Sequence, residues 1–168
     1  MLKTIQSYLS AVIPLVPPPL MEQEDIKKIA GSAQPSDRGV SGLPWGATIH
    51  QVQLEMRRRG AGEGRRMPMH DGGRASIRYG CRLGPYLCGQ VFEFEGGQLQ
   101  SFMLDPAARL PEVVKAVSGV CGPPVMHLDM PGVPSLATYT KWTFEGIEII
   151  AKKMNVTQLC TLTFRLPT

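Results

Sequence analysis

The residues of this 168-residue chain best equipped for chemistry are its arginines. Eight of them lie between Arg57 and Arg82 against two acids, Glu63 and Asp71, so that window carries +6 in a chain whose net charge is +4. The basic character is local. Arg57, Arg58 and Arg59 are consecutive, and Arg65, Arg66 and Arg74 stand in GAGEGRRMPMHDGGR, a glycine-rich stretch without periodicity that reads as a loop. Planar, forked guanidinium groups suit paired contacts with carboxylates and phosphates. These six arginines are therefore the candidate contact residues for an acidic partner, a protein or a lipid surface. The alternative is nucleic acid, with the arginines on phosphates and Tyr79 and Tyr86 stacking on bases. The segment does not repeat as RGG sequences do, and its charge is not spread along a whole face, which favours protein. A bland reading also stands: a triple arginine at a helix end offsets the negative end of the helix dipole.

Catalysis finds less to work with. No nucleophile elbow or family signature surrounds any Ser or Cys, and the paired carboxylates Glu93 and Glu95 are explained by strand alternation. The chain reads as non-enzymatic, without a cofactor. Met67, Met69, His70 and Asp71 in one segment and Met126, His127, Asp129 and Met130 in another are donors that Cu(I) accepts. One histidine in each is thin support, and methionines more often pack, so no metal is expected. Of the four cysteines, Cys81 and Cys88 are six residues apart, too far for a CxxC motif, and Cys121 and Cys160 make no second close pair. Disulfides and reduced thiols both fit an even count. If the chain is exported, Cys81 bridges to Cys88 or to a sulfur on a following strand, a link worth about 2–3 kcal/mol.

These residues need elements to hold them. QVFEFEGGQLQSFML, Gln90 to Leu104, reads as a β-hairpin turning on Gly96 and Gly97, with Phe92, Phe94, Leu99 and Met103 on one face and Glu93, Glu95, Gln98 and Gln100 on the other. In that register Phe94 meets Leu99, Phe92 meets Ser101 and Gln90 meets Met103. A helix is expected over Ala47 to Arg59, with Thr48 as N-cap and Gly60 as stop, and a strand over Ala75 to Tyr79. A second helix over Leu110 to Ser118 carries Leu110, Val113, Val114 and Val117 on one side and stops at Gly119. A second hairpin turns on Glu145 and Gly146, setting Trp142 and Phe144 against Ile149 and Ile147, and a last strand runs from Leu159 to Leu166. The fold class is α+β: an antiparallel sheet covered on one face by two helices, with hints of a duplicated unit of one helix and three strands. Its core is Phe92, Phe94, Leu99, Val113, Val117, Trp142, Phe144, Ile147 and Phe164. Residues 43–168 form this single domain, and 1–42 read as an appended arm, flexible or loosely packed. That arm has a short amphipathic helix over Met1 to Val12, with Leu2, Ile5, Leu9 and Val12 on one side, a proline-stiffened spacer at Pro17 to Pro19 and a charged helix over Met21 to Ala30. Prolines break the apolar run of Leu9 to Leu20, which argues against a signal peptide, and no run is long enough to span a bilayer.

LPWG entering a helix, then YGC, the strand-turn-strand FEFEGGQL, a helix followed by CGPP, a Trp-containing strand and a short final strand together resemble a group of small bacterial envelope proteins, those similar to the SmpA/OmlA lipoprotein and the β-lactamase inhibitor protein. The resemblance spans Leu43 to Phe164. It implies a non-enzymatic module of inhibitor, immunity or envelope-assembly type that binds protein partners on the outer face of a sheet, usually after export. A periplasmic or envelope location follows from the resemblance; a cytoplasmic one follows from the proline-broken leader.

Overall fold

The computed structural model describes residues 20–68, 73–83, 86–128, 137–154 and 159–168. Its centre is the hairpin of β5 (Tyr86–Glu95) and β6 (Gln98–Asp105). Gly96 and Gly97 take φ of 58° and 80°, the left-handed geometry that a two-residue turn requires and that a side chain would strain. Phe94 meets Leu99 as the alternation predicts, but Glu93 then meets Ser101 and Phe92 meets Phe102. Gln100 is an extra residue in β6. This bulge reverses the faces beyond it, because side chains alternate with a period of two. Phe102 and Leu104 enter the core in place of the expected Met103, and Phe102 stands 5.0 Å from the Phe92 ring and 6.2 Å from that of Phe164.

The flanking elements follow their sequence signals. In α2 (Ile49–Arg58) the Thr48 hydroxyl accepts from the Gln51 amide while the Gln51 side chain accepts from the Thr48 amide, a complete capping box. Val52 and Met56 are the buried side of α2. The helix α3 (Leu110–Cys121) buries Leu110, Val113, Ala116 and Val117 and runs through Gly119 to end at Gly122, one turn later than expected. The strand expected at Ala75 to Tyr79 is longer, β4 (Arg74–Leu83), paired along the whole of β5. Before it, Arg65 to Pro68 is not a loop but an edge strand, β3 (Arg65–Pro68), paired from Arg65 with Arg78 to Pro68 with Ala75. A four-residue edge strand holding two arginines has no apolar alternation to announce it.

The second half is β7 (Met126–Leu128), β8 (Ala137–Phe144), β9 (Ile147–Met154) and β10 (Cys160–Arg165), with Trp142 opposite Ile149 and Phe144 opposite Ile147 as predicted. All eight strands form one antiparallel sheet in the order β3-β4-β5-β6-β10-β9-β8-β7. Each half is thus a helix followed by a four-stranded meander, not three strands, and the halves join where β10 pairs with β6.

Among the described residues three helices, not two, contribute to the core beneath the sheet. Alongside α2 and α3, α1 (Gln23–Ala33) buries Ile26, Ile29 and Ala33, and Met21 before it is buried too. The Met21 amide donates to the Ala107 carbonyl at 2.8 Å, and the Tyr86 hydroxyl donates to Asp25 Oδ2 at 3.0 Å. The expected boundary at Leu43 falls inside a small ribbon, β1 (Gly39–Val40) with β2 (Leu43–Pro44). Residues from Met21 onward therefore belong to the domain, because α1 packs on α3 and makes no strand partnership that alternation would reveal. The expected helix over Met1 to Val12 and the spacer at Pro17 to Pro19 lie outside the described residues. Of the nine residues predicted for the core, eight are buried in one cluster and Phe144 is packed half-buried against it.

Candidate binding surface

With α1, α2 and α3 on one side, every second residue of the strands faces the other, and no helix among the described residues packs on that face. On β4 these residues include Arg74, Arg78 and Arg82, all exposed. Arg65 of β3 stands directly opposite Arg78. Like charges so placed destabilise a sheet, and two of these arginines are offset locally. Arg78 Nη2 donates to Asp105 Oδ2 at 2.7 Å, reaching across β5 at Gly89. A Cβ on Gly89 would lie 2.9 Å from that guanidinium nitrogen and 3.1 Å from the Asp105 Cβ, so only glycine leaves the bridge its path. Arg74 holds Glu95 at 3.4 Å. Arg65 and Arg82 pair with no carboxylate among the described residues.

Toward the middle of this face the row continues from Arg78 through Val91, Met103, Thr163 and Ile150 to Lys141, an apolar centre between two basic ends. Beside it Glu148, only 6% exposed, takes a hydrogen bond from Lys141 Nζ and two from Arg165, Nε at 3.0 Å and Nη2 at 2.9 Å. Lys141 first, with Arg165, holds this carboxyl below the usual carboxylate range against the opposing effect of burial. The hydroxyl of Ser101 donates to Glu93. A groove of ≈ 550 Å³ of mixed polar and apolar lining runs beside these groups, bounded by Arg74, Glu93, Phe94, Gln100, Arg165 and Leu166.

The chain matches no family model and no curated protein. Among solved structures, the crystal structure of YjgB, a DUF4309 family protein from Bacillus subtilis subsp. subtilis str. 168, superposes with a TM-score of 0.56 at 13% identity, covering 87% of this chain and 98% of that one. The likeness is one of fold alone.

The six arginines singled out in the sequence do not form one patch. Arg58 Nε and Nη2 donate to the two oxygens of Glu55, each at 2.8 Å, and Arg59 Nε donates to Glu55 Oε1 at 2.8 Å while its Nη2 donates to the Ser41 carbonyl. Both brace α2. Arg58 foremost, then Arg59, draws the Glu55 carboxyl down to about 2. Arg57 and Arg66 gather on the helix side of β3 and β4, and only Arg65 and Arg74 share the open face. Arg78 and Arg82 join them there. Their signal was present, since 74, 78 and 82 have one parity and an extended strand turns them to one side.

The tyrosines assigned to base stacking are committed elsewhere. Tyr79 is 4% exposed with its ring edge-on to Phe92 at 6.0 Å, and Tyr86 is bonded to Asp25. The two methionine and histidine segments end on β3 and β7, opposite edges of the sheet and roughly 30 Å apart at strand spacing. Met69, His70, Asp71, Asp129 and Met130 lie outside the described residues. Cys81 and Cys88 face each other directly across β4 and β5 as free thiols. Burial first, then Cys81, pushes the Cys88 thiol up to about 12, and burial does the same to Cys160.

Proposed function

We propose that this chain is a non-enzymatic protein-binding module that presents the helix-free face of its sheet to an acidic partner. The observation that carries the reading is the alignment of Arg65, Arg74, Arg78 and Arg82 on that face of β3 and β4, beside a half-buried apolar centre at Met103 and Ile150, with Val91 buried between them and the arginines. A fold needs no such alignment, since Arg65 opposite Arg78 costs stability. An apolar middle within a charged surround is also how protein interfaces are composed. Arg57, Arg58, Arg59 and Arg66 fall outside the surface proposed. Two helix-led meanders fit the duplicated unit expected from the sequence pattern.

The test begins with capture of the partner from the native cell and identification by mass spectrometry. Association kinetics of Arg65→Glu/Arg82→Glu are then compared with the unaltered chain across ionic strength. Steering by a basic patch accelerates encounter and is screened by salt. The double variant is expected to associate about tenfold more slowly at low salt, with a melting temperature no lower than the parent's and a flatter salt dependence. Unchanged association at low salt would remove this edge from the interface.

Export is part of the same proposal, supported by Cys81 and Cys88 standing opposite each other. In an oxidising compartment this pair closes while Cys121 and Cys160 stay reduced. Peptide mapping of the unreduced native protein checks it, and four free thiols in protein taken from its own compartment would count against export.

A further inference from the structure

A second site lies on the helix side of β4, where the α2 C-terminus meets edge strand β3 in a pocket of ≈ 330 Å³. Tyr79 forms its inner wall. Its ring is held by Phe92, and its hydroxyl-bearing Cζ lies 2.5 Å from where a Cβ on Gly64 would stand, so a side chain at 64 would displace the phenol. Arg57 and Arg66 flank the opening. Arg66 Nη2 donates to Gln53 Oε1 at 3.2 Å, and Arg57 Nη2 stands 4.0 Å from Glu63 Oε1. Burial raises the Tyr79 phenol above its ordinary value, while Arg57 and then Arg66 pull it back.

We infer that this pocket binds a phosphate-type oxyanion, with the Arg57 and Arg66 guanidinium groups and the Tyr79 hydroxyl as its donors. Donor-bearing side chains from α2, β3 and β4 line one pocket, and forked guanidinium groups favour tetrahedral oxyanions. Glu63 is the occupant to be displaced: its side chain is 92% exposed and at the limit of ion-pair distance from Arg57, so an incoming anion can take its place. The site lies on the opposite side of β4 from the surface proposed above, and either can fail alone.

The full chain is titrated with inorganic phosphate and then with phenyl phosphate at constant ionic strength, following the Gly62 and Gly64 amides and the Arg57 and Arg66 Nε–H resonances by NMR. Saturating shifts confined to those groups are expected. Arg66→Gln weakens binding about tenfold, Tyr79→Phe weakens it by less while keeping the Phe92 contact, and Glu63→Gln tightens it. Arg82→Gln leaves it unchanged. Tighter binding of phenyl phosphate assigns the site to an organic phosphate ester, and equal affinity assigns it to the free ion. Shifts that never saturate, shifts that persist undiminished in Arg66→Gln, or an affinity indifferent to Glu63→Gln would overturn the inference.

Discussion

At the scale of single residues, arginine serves this protein in three ways that composition does not separate. Arg58 and Arg59 brace a helix through Glu55, Arg165 neutralises a buried carboxylate, and Arg65 and Arg82 face solvent on the open sheet. The difference is decided by which carboxylate lies within about 4 Å, and the partners of Arg78 and Arg165 lie 27 and 17 residues away in sequence. Glu148 gives a direct check on the second role. Its native pKa is depressed by Lys141 and Arg165, so its contribution to stability is present above the unfolded carboxylate value and is lost as pH falls through the native one. Glu148→Gln leaves the two cations facing each other without a counterion. It is expected to cost about 1–3 kcal/mol at neutral pH and to flatten the acid limb of the stability profile below about pH 4.5, both read from urea unfolding at a series of pH values. An unaltered acid limb would mean that the carboxylate is not held as described.

At the scale of elements, the bulge at Gln100 sets how the two halves of the sheet meet. It turns Phe102 inward between Phe92 and Phe164, so one line of aromatic rings runs from β5 through β6 to β10 across the seam. Strict alternation from the Gly96-Gly97 turn places Met103 inward instead. The two registers predict different mutants. Phe102→Ala should cost about 3–5 kcal/mol as a buried aromatic, and Met103→Ala, on the open face, less than about 1 kcal/mol. Denaturant midpoints of the two variants decide between them, and comparable losses would restore the regular hairpin. The helix ends were easier to read, because Thr48 and Gln51 act within four residues of each other and need nothing from the rest of the chain.

At the scale of the whole molecule, α1 is the element whose place most changes the picture. Ile26, Ile29 and Ala33 sit in the same core cluster as Val113, Val117 and Phe164, so a chain starting at Leu43 would expose that side of α3. Removing residues 1–42 should therefore abolish the cooperative thermal transition, or lower it by well over 10 °C (about 3–5 kcal/mol or more for a domain of this size). Circular dichroism and dye binding report the loss, and a truncated chain melting as the parent does would reinstate the arm. What the sequence determined by itself was local: the turns of both hairpins, the alternation of β5, β8 and β9, the capping box of α2, the apolar side of α3 and, through those patterns, eight of the nine core residues. Tertiary structure alone decided what depends on partners far along the chain. The docking of α1 on α3 and the bridges from Arg78 to Asp105 and Arg165 to Glu148 are completed by residues far along the chain, while the edge strands β3 and β7 are too short to show a period.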